Sequence, residues 1–191
     1  MVAPYSSKKK AVNIITETFD ANPSVNIVIG SKGNRRKKIS RLAYYAFEKA
    51  FNRKGVFLSD NKQGVALCFR SDGGSVKFKE LMYELRFAAV LPMSRVLQTL
   101  KRESYIKKHR LKCKHLYFWF FGVQKGADQA GFELKNQIFN LSKKEQLPIL
   151  LETSVFRNKV IYERYGFKAY HVWNDSGDGK KLWFMVREPE I

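Results

Sequence analysis

Covalent and metal chemistry have little to work with in this sequence. Its 191 residues include only two cysteines, Cys68 and Cys113, too few for a disulfide framework or a four-cysteine zinc site. The three histidines, at 109, 115 and 171, lack ligand spacing and read as strand or surface residues, so no metal is expected. No apolar run approaches the roughly 18 residues of a membrane span, and the longest, 116–123, has the length of a strand. The first ten residues lack the apolar core and small-residue cleavage site of a secretory signal. The expectation is a soluble protein of the cytoplasm.

Negative charge is scarce as well. Seventeen acidic side chains face 36 Lys and Arg, a net charge of +19. The excess gathers in two groups: Lys32, Arg35, Arg36, Lys37, Lys38 and Arg41, then Lys101, Arg102, Lys107, Lys108, Arg110, Lys112 and Lys114. Such a surface attracts polyanions. Nucleic acid is one candidate partner, but no recognition motif accompanies the charge, and a phosphate-bearing cosubstrate or a solvated basic face accounts for it equally. An anionic or polar small partner fits the charge better than a polyamine does.

What is present is a core-forming pattern: 45% hydrophobic residues, among them 15 Phe. Ala11, Val12, Ile14, Ile15 and Phe19 share one helical face over 7–20. Asn22-Pro23-Ser24 ends that helix, and residues 26–29 read as an apolar patch in the connection. Ile39, Leu42, Ala43, Ala46, Phe47, Ala50 and Phe51 predict a second helix from Gly33-Asn34 to Gly55. Residues 56–58 and 65–69 flank turn formers, as in an antiparallel hairpin. Helices over about 77–90 and 93–108, separated by Pro92, read as an insertion. The pattern then becomes parallel: a strand over 115–123, a helix over 128–145, a strand over 148–151, a helix over 156–165, and strands over 167–173 and 182–186. With neither repeats nor a linker, 1–191 reads as a single domain, with monomer and homodimer both open.

Two strand-to-helix junctions carry the candidate chemistry. The first runs from Phe121-Gly122-Val123 through Gln124 and Lys125 to Gly126, Ala127, Asp128, Gln129, Ala130 and Gly131. Small residues let a ligand approach the backbone, and helix N-terminal amides bind phosphate. The second follows Leu151-Glu152-Thr153-Ser154, with Asn158 and Tyr162 four residues apart on one helix face and Gly166-Phe167 at its end.

The run Asn158-Lys159-Val160-Ile161-Tyr162-Glu163-Arg164-Tyr165-Gly166-Phe167 resembles a motif of the GNAT acetyltransferases: Asn, a short spacer, Tyr, three residues, then Gly-Phe. The strand ending in Phe121-Gly122-Val123 resembles the same family, and the likeness covers about 115–173. It implies an α/β (α+β) fold, a GNAT-like mixed sheet with an antiparallel N-terminal hairpin, a central parallel strand pair and flanking helices. It further implies acetyl-coenzyme A as cosubstrate and a primary amine as acceptor, joined by direct attack through a tetrahedral intermediate. Pantetheine would lie along Phe121, Gly122 and Val123, between strands that part near 122 and 152. The pyrophosphate would rest on Lys125, Gly126, Ala127, Asp128, Gln129, Ala130 and Gly131. Asn158 would bind the cosubstrate, and Tyr162 would protonate the leaving thiolate. The family's phosphate loop, Arg or Gln, two residues, Gly, one residue, Gly or Ala, is not matched here. Gln124 is followed at those spacings by Ala127 and Gln129. That departure opens a second reading, a coenzyme A-binding module without catalysis. No general base stands out; Glu17, Glu84 and Glu152 are within reach of the cleft. Ser154 has no activating partner in sequence. Acceptor specificity is expected from residues 21–33, 77–108 and 174–180.

Overall fold

The computed structural model describes residues 2–30, 33–174 and 179–190. Lys32 of the first basic group and part of the 174–180 loop lie outside the described residues. After a short 3-10 turn, α1 (Lys8–Thr18) buries Ala11, Val12, Ile14 and Ile15. The next element differs from expectation. Residues 23–29 form a helix, α2 (Pro23–Ile29), where the sequence suggested an apolar connection. Asn22 caps it by accepting from the Ser24 and Val25 amides, Pro23 takes the first helical position, and Gly30 ends it at φ 67°. Asn-Pro-Ser is therefore a helix start. Seven residues are too few for a helical period to be read.

α3 (Arg35–Asn52) is capped by Asn34, whose side chain accepts from the Lys37 amide at 2.9 Å, and it buries the predicted stripe from Ile39 to Ala50. The hairpin is β1 (Val56–Leu58) and β2 (Gly64–Arg70). α4 (Phe78–Ala88) and α5 (Met93–His109) follow, with Pro92 at the α5 N-cap. The remaining elements are β3 (Leu116–Val123), α6 (Asp128–Glu145), β4 (Ile149–Thr153), α7 (Phe156–Arg164), β5 (Lys168–Trp173) and β6 (Leu182–Arg187).

All six strands form one mixed sheet in the order β1-β2-β3-β4-β6-β5. Only the β3–β4 pair is parallel; the others are antiparallel. α1 and α3 cover one face, packing Ile14, Ile15, Phe47 and Ala50 against Leu67 and Phe120. α6 covers the other, packing Leu134 and Ile138 against Leu116, Phe118 and Ile149. Both faces of β3 are thus covered, which is why its sequence is apolar throughout. Among the described residues no helix is long and apolar enough to cross a membrane.

Two groupings differ from the sequence reading. The basic runs are not purely surface features: Lys38, Arg102 and Arg110 turn inward, Lys38 donating to the Ile29 carbonyl at 2.9 Å. His109 and His171, distant in sequence, stack with ring centroids 4.6 Å apart, and Tyr105 donates or accepts at His171 Nε2 over 3.1 Å.

Candidate active site

The parallel pair is barely a pair. β3 and β4 register only at Leu116 with Ile149 and Tyr117 with Leu150. Beyond those positions each strand pairs only outward: β3 with β2 as far as Val123, β4 with β6 as far as Thr153. The cause is visible in the β2–β3 register. Leu67 faces Phe120 while Cys68 faces Phe118, so Trp119 is an extra residue in β3. A bulge bends its strand and increases local twist, and this one lies two residues past the last β3–β4 partner. It also breaks the side-chain alternation. Trp119 and Phe120 both pack on the α1/α3 side, whereas Phe118 and Phe121 stay on the α6 side.

The parting opens a cavity of about 570 Å³. Phe118, Phe121, Asn158 and Tyr162 line it from the α6/α7 side. Tyr45, Tyr117, Trp119 and Phe120 line it from the α3 side. The space therefore passes through the sheet.

Tyr162 reaches the wall because of how α7 ends. The Phe167 amide donates to the Tyr162 carbonyl at 3.0 Å, and the Gly166 amide donates to the Glu163 carbonyl at 3.0 Å. Gly166 sits at φ +85°. This is a Schellman cap, whose hydrophobic contact joins the residue after the glycine to the third residue from the helix end. Those residues are Phe167 and Tyr162, with ring centroids 5.4 Å apart. The spacing Tyr-x-x-x-Gly-Phe is thus the spacing of a helix C-cap, and the cap fixes the tyrosine. Burial pushes the Tyr162 phenol up to about 12, so it is protonated at neutral pH. Asn158 stands one turn earlier on the same face.

The junction after β3 is arranged differently. Gly122 is set by packing: a Cβ there would collide with Thr18 Oγ1 of α1. Gln124 Nε2 donates to Glu17 Oε2 at 2.7 Å, which occupies Glu17 outside the cavity lining. Gly126, at φ +79° with open space beside it, turns the chain into α6. Ala127 and Ala130 are buried, while Lys125, Asp128 and Gln129 are exposed. No side chain caps α6, and its first turn carries Asp128. Of the residues singled out from the sequence, Phe121, Asn158 and Tyr162 line the cavity. Gly122, Val123, Lys125, Gly126, Ala127, Asp128, Gln129, Ala130 and Gly131 do not.

Glu152 is held by three hydrogen bonds. Arg110 Nε donates to its Oε1 at 3.1 Å, Arg110 Nη2 to its Oε2 at 3.2 Å, and the Tyr117 hydroxyl to Oε2 at 2.8 Å. Burial raises its pKa against the opposing pull of Arg110. Ser154, after β4, meets another serine: its Oγ lies 2.7 Å from Ser24 Oγ. Among the described residues no group of three or more His, Cys, Asp or Glu could hold a metal.

The helical wall supplies residues that the sequence did not single out, Tyr45 and Lys49 on α3 and Glu103 on α5, beside Arg102 of the second basic group. Lys49 Nζ donates to the Tyr45 hydroxyl at 3.2 Å and lies 5.0 Å from the Trp119 ring centroid. Burial lowers its pKa. Tyr45 and Lys49 are one turn apart on the inward side of α3, and that polar interruption of an apolar stripe is the one signal they leave in sequence.

No family model matches the chain. It is 37% identical over 78 residues to an uncharacterized N-acetyltransferase of Schizosaccharomyces pombe. The match takes in 39% of this chain and 32% of that relative, so the chain spans about a third of the curated protein's length. Among solved structures it superposes on a protein described as histone acetyltransferase HPA2 and related acetyltransferase, from Corynebacterium glutamicum. The TM-score is 0.69 and the identity 19%, over 100% of this chain and 96% of that one. Arylalkylamine N-acetyltransferase 2 of Aedes aegypti gives 0.61 at 14%, over 100% and 98%. The likeness is one of fold. The mixed sheet and flanking helices match those of these acetyltransferase structures, and the fold expected from the sequence resemblance is borne out.

Proposed function

We propose that this chain is an N-acetyltransferase, moving the acetyl group of acetyl-coenzyme A to a primary amine. One observation carries the reading: β3 and β4 part after Tyr117 and Leu150, and Tyr162 stands on the wall of the resulting cavity. Past Tyr117 the peptide groups of β3 that face β4 meet no strand, which suits an extended, amide-bearing arm such as pantetheine along Phe121, Gly122 and Val123. The first amides of a helix have no partner within it. Those of Asp128 and Gln129, after the open turn at Gly126, suit a diphosphate, with Lys125 adding positive charge. The Asp128 carboxylate in that first turn works against an anion, so binding here is weaker than an uncharged loop would give. Asn158, on the cavity wall, would hydrogen-bond the cosubstrate.

The amine must first lose a proton to expose its lone pair. Nitrogen then attacks the thioester carbon, the carbon–nitrogen bond forms, and the carbon–sulfur bond breaks. Tyr162 gives its phenolic proton to the departing sulfur, and the proton released by the nitrogen replaces it. The raised pKa of Tyr162 keeps that proton in place until negative charge develops on sulfur.

Titration calorimetry with acetyl-coenzyme A, followed by thiol release across an amine panel, tests the reading. Binding with thiol release is expected. Binding without release from any amine supports a coenzyme A-sensing module instead, and no binding removes both readings.

A further inference from the structure

The chain's excess of positive charge does not extend into the cavity. Lys49, Arg53, Arg102 and Lys107 line it, and so do Glu80, Glu84, Glu103 and Glu152, four of each sign. The whole chain has 36 basic and 17 acidic side chains. Half of these charges have settled partners. Arg53 pairs with Glu80 at 2.8 Å, Arg110 outside the lining pairs with Glu152, and Arg102 reaches Ser24 Oγ at 3.4 Å. Glu84 and Lys107 are exposed.

Lys49 and Glu103 are left, both half-buried and both on the helical wall. Neither makes an ion pair among the described residues. Lys49 feels the charge of Glu103 and of Glu80, yet neither carboxylate lies within ion-pair distance of it. Tyr45, between α3 and the cavity, feels Glu103 as well. A desolvated charge without a counterion is costly to keep and gains much from a ligand that supplies one. A plain alkylammonium would satisfy Glu103 but place a like charge beside Lys49. An anion would do the reverse.

Resting on the acyl-transfer reading, we infer that the acceptor is a zwitterionic amine, an amino acid, with its ammonium at Glu103 and its carboxylate at Lys49. Phe19, Tyr45, Trp119 and Phe120 on the same wall give an apolar side chain its surroundings. This class narrows the anionic or polar acceptor that the overall charge favoured. The local charges decide it, because exposed charges beyond about 8–10 Å are screened in salt.

The test uses the full chain. Acetyl-coenzyme A binding is measured first, then thiol release with phenylalanine, phenylalaninamide and phenethylamine, and with the matching leucine series. The amino acids are expected to exceed both analogues in kcat/KM by at least about 10-fold. Lys49→Met is expected to raise KM for the amino acid about 10-fold, leave KM for acetyl-coenzyme A unchanged, and abolish the preference for a carboxylate. Lys49→Arg is expected to keep that preference, which separates charge recognition from packing. Glu103→Gln is expected to raise KM for the amino acids and the decarboxylated amines alike. Amines without a carboxylate reacting equally well, no amino acid reacting, or a preference that survives Lys49→Met would each overturn the inference while leaving acyl transfer standing. Failure to bind acetyl-coenzyme A would overturn both.

Discussion

The two strand-to-helix junctions at the open end of the parallel pair occupy equivalent places in the topology, yet they are built on opposite plans. After β3, the helix is secured by its body: Leu134 and Ile138 of α6 are fully buried, and the loop ahead of it is exposed at Lys125 and Gly126. After β4, no residue of α7 is fully buried, and the helix is held by its C-terminal cap on Phe167. A helix anchored by its body leaves its leading loop free to vary. A helix anchored by its cap ties sequence to position. That difference fits a Tyr162 motif that keeps the family spacing beside a loop ahead of α6 that departs from the family pattern.

The largest expected effect lies on the β4 side. Arg110→Met strips the Glu152 carboxylate, whose side chain is buried, of two of its three hydrogen bonds, and breaking a buried pair costs about 3–5 kcal/mol. Denaturant unfolding should show that loss, and a drop below about 1 kcal/mol would mean that β4 does not depend on the pair. Tyr162→Phe keeps the ring contact with Phe167 and removes only the hydroxyl, so thermal stability should hold while kcat falls about 100-fold or more. Equal activity in the phenylalanine variant would leave Tyr162 a packing residue.

A pH profile refines the same point. A general acid must be protonated to act, and the Tyr162 phenol is pushed up to about 12. The rate should climb with pH as the amine deprotonates and show no descending limb from this group below about pH 11. A fall near pH 9 would point to a different donor.

Paired glycine substitutions then set one junction against the other. Gly166→Ala and Gly126→Ala both force alanine into left-handed backbone, for about 1 kcal/mol each. The first should also lower kcat by displacing Tyr162, and the second should instead raise KM for acetyl-coenzyme A. The smallest effect belongs to Asp128→Asn. Removing a carboxylate from the first turn of α6 should tighten coenzyme A binding about 2–5-fold by calorimetry, and more so at low salt.

Legibility followed periodicity and local rules. The α3 stripe, the β1–β2 hairpin and the apolar β3 all had patterns long enough to read, and the family resemblance supplied the mixed sheet around them. α2 was missed because two turns show no period, although its cap, Asn22 with Pro23, was in plain view. The cavity residues Lys49 and Glu103 left almost no trace, since what brings them to one cavity is tertiary packing, α3 on α4 and α5 on α2. A single charged residue on a helix gives no sign of which others it will face. Arg102 and Arg110 belonged in sequence to a basic run, and only the fold shows that two members of that run point inward.

The bulge in β3 has a consequence for how the opening could be lost. Trp119 is the one residue of that strand without an opposite number in β2. Excising it would return strict side-to-side alternation to the strand, bring the later peptide groups back toward β4, and close the sheet like a seam. The space that spans the sheet would then hang on a single inserted amino acid, so a three-nucleotide change could turn a hollow scaffold into a solid one.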